Sequence, residues 1–139
     1  MTDKELVKVA RESKASAFAP YSEFQVGASL LTEQGVYTGA NIEISGRSTS
    51  VHAEMLAAYK AVQDGAEEFQ VMAISAGETP SGDIAPCGLC QHTLSQFTEE
   101  LRILEDAGDE EPEEYSLLEL IGDGYSASTR HFDQIRDKE

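Results

Sequence analysis

The chain has 139 residues, 40% of them apolar, which is enough for one domain with a hydrophobic core and argues against intrinsic disorder. Its 26 acidic residues against 10 lysines and arginines give a formal net charge of −16, so a nucleic-acid partner is not expected. No apolar run approaches the ~20 residues of a membrane helix, and the charged N-terminus lacks a signal-peptide apolar region. We therefore expect a single domain over residues 1–139, located in the cytoplasm and without membrane contact.

The acidic composition has two interpretations. Acidic surfaces keep proteins soluble in concentrated salt, where the Debye length falls to ~3 Å near 1 M. A halophilic source and an ordinary acidic cytosolic protein are both consistent with the charge.

The first third of the chain predicts a helix followed by a β-hairpin. Thr2 to Ala17 reads as an amphipathic helix, because Thr2 and Glu5 have capping-box spacing and apolar residues recur at helical intervals. Phe24 to Thr32 alternates as a strand does, "EQG" provides a turn, and "VYTGANI" gives the second strand.

A second helix is predicted from about His52 to Val62, with Thr49 or Ser50 as its N-cap. Gly65 follows as a helix-ending residue. The predicted apolar stripe of this helix consists of Leu56, Ala57 and Val62.

The remaining elements complete an α/β pattern. Phe69 to Gly77 is a nearly continuous apolar run, typical of a buried central strand, and Cys87 to Phe97 is a predicted helix that begins after Pro86. A short strand, an acidic loop and a fourth helix follow, at 101–104, 105–115 and 116–121. This order predicts helices packed on a central mixed sheet.

Two short motifs stand at predicted helix starts. His52 and Glu54 lie in the first turn of the second helix, and Cys87 and Cys90 lie three residues apart in the first turn of the third. One imidazole and two thiolates can thus converge, with the helix N-terminus lowering the pKa of the thiols. Three protein ligands and one open position are typical of catalytic zinc, so we expect one Zn²⁺ per chain.

Each motif alone has a simpler interpretation. The cysteines could form a redox pair or simple buried thiols, and His52 and Glu54 could be a packed histidine and a solvated acid. Together, with a strand between them, they match the H-x-E…P-C-x-x-C pattern of zinc nucleobase deaminases. Glu54 is then the expected general acid–base, moving a proton from the attacking water.

The sequence resembles the cytidine deaminase family well beyond these motifs. The resemblance rests on "FAPYSEFQVGASLLT", "GANIE" and "PCGLCQHTLSQF", and it covers roughly Ala15 to Phe97. It implies a three-layer α/β/α domain with a mixed sheet of about five strands. It also implies zinc-dependent deamination of cytidine and 2′-deoxycytidine to uridine and ammonia, in pyrimidine salvage, by a homotetramer with shared sites.

The same resemblance implies roles for residues of a substrate pocket. Phe24 and Val26 would line the pyrimidine site, and Asn41 and Glu43 would hydrogen-bond the ribose hydroxyls, as an amide and a carboxylate suit a diol.

Further roles are implied for the base and for the partner subunit. The Ala53 backbone N–H and Glu54 would read the pyrimidine carbonyl and ring nitrogen, and the Ala85 carbonyl would face the departing ammonia. Tyr125 falls where the family often has a phenylalanine that stacks on the substrate of a neighbouring subunit.

The chain also departs from the family pattern. His52 replaces a third cysteine and Met55 replaces an arginine, a consistent pair because a site with two thiolates needs no extra cation. Gln91 and His92 stand where the family tends to have Arg-Gln.

A third departure bears on the substrate. Arg47, in "ISGRSTS", either pairs with surface acids or binds a phosphate, which would favour a nucleotide. A cytidine nucleotide or an aminopyrimidine antibiotic as substrate therefore stays open, as does a non-catalytic zinc-binding protein.

Overall fold

The computed structural model describes residues 1–46, 49–82 and 85–122. Its elements, in chain order, are α1 (Asp3–Ser13) with a following 3-10 turn (Lys14–Ser16), β1 (Val26–Thr32), β2 (Gly35–Ala40), α2 (Ala53–Gln63), β3 (Phe69–Ala76), α3 (Gly88–Ser95), β4 (Arg102–Glu105), β5 (Glu113–Ser116) and α4 (Leu117–Ile121). None of the described helices has the length and apolar character to span a membrane.

The five strands form one mixed sheet in the order β2-β1-β3-β4-β5. β1 is antiparallel to both β2 and β3, β3 is parallel to β4, and β4 is antiparallel to β5. The predicted hairpin is therefore confirmed as β1–β2. The parallel pair β3–β4 requires a crossover, and α3 lies within it.

Helices cover both faces of the sheet, which gives three layers. On one face α1 packs against β3 and β4 through Leu6, Val7, Ala10, Val71, Ala73 and Leu104. On the other face α2, α3 and α4 share a larger core with the strands; its buried members include Ala28, Leu30, Ala57, Met72, Leu94, Ile103 and Leu117. The first turns of α2 and α3 thus lie on the same side of the sheet.

The predicted acidic loop at 105–115 is wrong at both ends. Glu105 belongs to β4 and is buried, while Glu113–Ser116 forms β5 at the edge of the sheet. Tyr115 pairs with Ile103 and its hydroxyl donates to the Gly82 carbonyl at 3.0 Å. The glutamates of β5 remain exposed, as charged residues on an edge strand commonly are. Because of these charged residues, the sequence pattern did not predict a strand here.

Two details of α2 also differ from the prediction. Its N-cap is His52 itself, not Thr49 or Ser50. Its buried face is not the stripe of Leu56, Ala57 and Val62, since Leu56 is only half-buried and Val62 is 38% exposed. The buried residues are Ala53, Glu54, Ala57, Ala58 and Ala61.

Small side chains face the sheet because α2 approaches β2 very closely at Gly39. A Cβ added at Gly39 would lie 2.7 Å from the Ala57 nitrogen and would also meet the Ala53 carbonyl. We expect Gly39→Ala to lower the free energy of unfolding by about 1–3 kcal/mol, as overpacking does. Urea denaturation measures this loss.

Gly88→Ala is the matched control for Gly39→Ala. A Cβ at Gly88, the first residue of α3, meets no atom within 4 Å in the described structure, so its unfolding free energy should not fall. Equal stability of the two variants would show that the contact between α2 and β2 is not as tight as the geometry indicates.

Candidate active site and metal centre

The N-termini of α2 and α3 meet at one point. His52 is the N-cap of α2, Cys87 is the N-cap of α3, and Cys90 lies in the first turn of α3. His52 Nδ1 lies 3.1 Å from Cys90 Sγ and 3.4 Å from Cys87 Sγ. The three donor atoms lie within 4.8 Å of one another, so the predicted convergence is confirmed.

Backbone contacts fix the chain where each helix begins. Val51, just before His52, exchanges two 2.9 Å backbone hydrogen bonds with Ile42, which anchors the start of α2 beside the end of β2. At α3, Gln91 Nε2 donates to the Pro86 carbonyl at 2.7 Å. Gln91 therefore stabilises the turn that carries Cys87.

The donor set fits zinc. Tetrahedral zinc with Zn–N near 2.1 Å and Zn–S near 2.3 Å separates the nitrogen and sulfur ligands by about 3.6 Å, close to the distances from His52 Nδ1. A ligand set of one imidazole and two sulfurs binds zinc in preference to magnesium or calcium. A four-coordinate ion held by three side chains keeps one position for a solvent molecule.

The electrostatics of Cys90 also call for a cation. The side chain is fully buried, and burial raises the pKa of its thiol far above the ordinary value, with the negative charges of Glu54 and Cys87 adding to the effect. The net direction for the pKa of Cys90 is therefore upward, opposite to the contribution expected from the helix N-terminus. Because a divalent ion compensates the charge of a thiolate, the buried sulfur suits a metal ligand.

Glu54 lies beside the cluster, in the first turn of α2, and is 7% exposed. Burial raises the pKa of its carboxyl, while its own backbone N–H, the Cys90 thiol and the His52 ring act in the opposite direction. A buried carboxyl with a raised pKa holds a proton more readily than an exposed one, which suits a group that accepts and donates protons.

A cleft of about 490 Å³ opens over these residues, a size that suits a small organic ligand. The predicted contact residues that line it are Phe24, Val26, Asn41, Glu43, Ala53 and Ala85, together with His52, Glu54 and Cys87. Tyr125 and Arg47, the other residues named from the sequence, lie outside the described residues.

Comparison with known proteins identifies the family. Residues 1–104 match the family model described as the cytidine and deoxycytidylate deaminase zinc-binding region. The chain belongs to this family. It is therefore a zinc-binding hydrolytic deaminase, and the predicted cofactor is confirmed.

Individual members of the deaminase family are similar over most of their length. The chain is 39% identical to the cytidine deaminase of Sporosarcina psychrophila over 98 residues, which is 70% of this chain and 71% of that protein. It is 38% identical to the probable cytidine deaminase of Dictyostelium discoideum over 101 residues, which is 70% of this chain and 68% of that protein.

Solved structures of deaminases share the fold. The cytidine deaminase from Burkholderia pseudomallei superposes with a TM-score of 0.77 at 30% identity, covering 86% of this chain and 96% of that one. The cytidine deaminase from Mycobacterium tuberculosis superposes with a TM-score of 0.73 at 30% identity, covering 88% of this chain and 97% of that one. The predicted fold class is confirmed.

In this deaminase, Asn41 and Glu43 also organise the wall of the cleft. Asn41 Oδ1 accepts from the Val26 N–H at 2.8 Å, and its Nδ2 donates to the Phe24 carbonyl at 2.9 Å. Glu43 accepts from the backbone N–H groups of Tyr21 and Ser22 at 3.1 and 3.0 Å. These hydrogen bonds hold the segment that presents Phe24 and Val26 to the cleft.

One chemically capable residue of the cleft, Glu105, is not predicted by the sequence pattern. Glu105 lines it from the end of β4 and is 2% exposed. The many acids that follow it predict an acidic loop at this position. The signal that could have found it is the alternation of "RILE", which places Glu105 on the same face as Ile103.

Proposed function

We propose that the protein is a zinc-dependent cytidine deaminase that converts cytidine to uridine and 2′-deoxycytidine to 2′-deoxyuridine, with release of ammonia, in pyrimidine salvage. The observation that carries the proposal is the cluster of His52, Cys87 and Cys90, of which His52 and Cys87 line one cleft with the buried Glu54. The names of the similar proteins support the choice of a cytosine nucleoside over other heterocycles.

The chemistry is divided between the metal and the chain. His52, Cys87 and Cys90 would hold the zinc, which would supply a Lewis acid that makes water easier to deprotonate. Glu54 accepts the proton of the attacking water, delivers it to the ring nitrogen, and then carries a proton to the leaving amine. Water and cytidine are consumed, and uridine and ammonia are released.

The walls of the cleft orient the base for this reaction. Ala53 is the first residue of α2, and N–H groups in a first helical turn have no intrahelical partner, so it can donate to the pyrimidine carbonyl. Phe24 and Val26 contact the ring, and the Ala85 carbonyl accepts from the amine. Asn41 and Glu43 bind the sugar hydroxyls.

We expect Glu43→Gln to raise KM for cytidine by roughly 10-fold with a smaller change in kcat, because a hydrogen bond to a charged group contributes about 1.5–3 kcal/mol. Steady-state kinetics measures the two constants separately. Glu23→Gln is the control: this exposed acid directly follows Tyr21 and Ser22, whose N–H groups donate to Glu43, but it does not line the cleft. A fall in kcat at constant KM would contradict a role in sugar binding.

The proposed activity is tested by measuring zinc content alongside turnover. About one zinc per chain, with uridine formed from cytidine, is the expected result. The same assay with cytidine monophosphate decides the nucleotide alternative raised by Arg47: faster turnover of the monophosphate would reject the nucleoside as substrate. An aminopyrimidine antibiotic completes the panel.

We further propose a cytoplasmic homotetramer without a nucleic-acid partner. Free thiols that bind metal suit a reducing compartment, and the net charge of −16 opposes polynucleotides. Large apolar side chains exposed near the cleft support self-association: Phe18, Tyr21, Ile42 and Ile44. Analytical ultracentrifugation tests the tetramer, and activity in increasing salt tests the halophilic interpretation.

A further inference from the structure

The cleft contains a second buried carboxyl that the mechanism above does not use. Glu105 is the last residue of β4 and lines the cleft together with Glu54. It is only 2% exposed, and its Oε1 has no hydrogen-bond partner within the described ranges of the chain. A buried polar atom left unpaired is unfavourable, so it commonly marks a site that binds something.

The neighbouring acid, Asp106, differs from Glu105 because all of its side-chain polar atoms have hydrogen-bond partners. Asp106 lies under α1 and is fully paired: Arg11 donates to both of its oxygens at 2.7 and 2.8 Å, and Ser75 Oγ donates at 2.7 Å. Strand alternation places Glu105 on the opposite face, with Ile103, towards α2 and α3. Glu105 therefore lies on the side of the sheet that carries the cleft, whereas Asp106 lies on the side covered by α1.

The ionisation of Glu105 is compatible with a place beside Glu54. Burial raises its pKa to about 9, and the negative charges of Glu54 and Asp106 add to the effect. Burial therefore disfavours a second negative charge next to the acid–base. A carboxyl oxygen accepts a hydrogen bond in either protonation state.

The chemistry of the substrate limits what this oxygen can bind. In a cytosine nucleoside the ring nitrogen N3 and the carbonyl O2 are acceptors, so the exocyclic amine is the one donor group of the base. That amine has two N–H bonds, and the Ala85 carbonyl can accept from one of them. The other N–H can donate to a second acceptor.

We propose that Glu105 accepts a hydrogen bond from the exocyclic amino group of the substrate and from the ammonia that forms from this group. This assignment rests on the proposed cytidine deaminase function. Glu105 orients the amine while Glu54 transfers protons, so it is a substrate-binding residue that favours bases carrying an amino group.

The test compares two ligands that differ only at the amino group. Cytidine is the substrate, and pyrimidin-2-one ribonucleoside, which carries hydrogen in place of the amine, is the competitive inhibitor. We expect Glu105→Met to lower kcat/KM for cytidine about 10-fold or more, because a buried donor loses its partner. The inhibition constant of the pyrimidinone should stay unchanged, and Glu105→Gln, which keeps an amide oxygen, should recover most of the activity.

Thermal unfolding and a control variant separate binding from folding. Methionine removes a buried carboxyl, so the unfolding temperature of Glu105→Met should not fall below that of the wild type. Glu113→Met is the control, since Glu113 pairs with Glu105 in the sheet but is exposed and does not line the cleft.

Three outcomes overturn the inference. Equal losses for cytidine and the pyrimidinone would indicate a structural role, unchanged cytidine turnover in Glu105→Met would indicate none, and a Glu105→Gln variant as impaired as Glu105→Met would exclude an acceptor role. A zinc-loaded wild-type protein that does not turn over cytidine would instead reject the proposed function itself, and this assignment with it.

Discussion

Replacing Glu54 with glutamine is expected to lower kcat for cytidine by about 10²- to 10⁴-fold, the range that general acid–base catalysis contributes. Glutamine has nearly the same volume and still fits the buried position in the first turn of α2. It cannot exchange a proton with the water or the ring nitrogen. The reaction therefore loses its proton carrier while the cleft keeps its shape.

The measurement combines kcat, zinc content and thermal unfolding of the same preparation. Zinc should remain near one per chain, because Glu54 is not among the three clustered donors. Glu99→Gln, an exposed acid outside the cleft, is the control and should behave as the wild type. Unchanged turnover in Glu54→Gln would remove the catalytic role of this residue, whereas loss of zinc would make Glu54 a ligand and not an acid–base.

The metal centre could be predicted from the sequence because each half of it is local. His52 and Glu54 lie two residues apart, and Cys87 and Cys90 three apart, so each half needs only one helical turn for its geometry. The hairpin β1–β2 could be predicted for the same reason, since its turn joins strands adjacent in the chain. What the local pattern could not supply was the long-range register.

Features that depend on that register were missed. The buried face of α2 is set by its close approach to Gly39, which no helical periodicity reveals. β5 is a strand because Tyr115 pairs with Ile103, although its composition is that of a solvated segment. The burial of Glu105 could not be predicted either, because it depends on the position of β4 between β3 and β5 in the sheet.

The metal itself is tested by removing one sulfur. Cys90→Ala is expected to weaken zinc binding by more than about 100-fold, since loss of an outer-sphere partner alone costs 10- to 100-fold. Cys90 is the fully buried member of the cluster, and its Sγ is the atom closest to His52 Nδ1 within it. Cys87→Ala should behave in the same way, and both variants should lose cytidine turnover.

Zinc content after dialysis against a chelator, with a cobalt-substituted sample to reveal thiolate coordination by absorption, measures the effect. Thr93→Ala is the matched control, because Thr93 is a buried residue of α3 whose hydroxyl donates to the Leu89 carbonyl and not to the metal site. It should keep zinc. If Cys90→Ala also retained about one zinc per chain, the sulfur would not be a ligand, and a redox role for the cysteine pair would become the better explanation of their spacing.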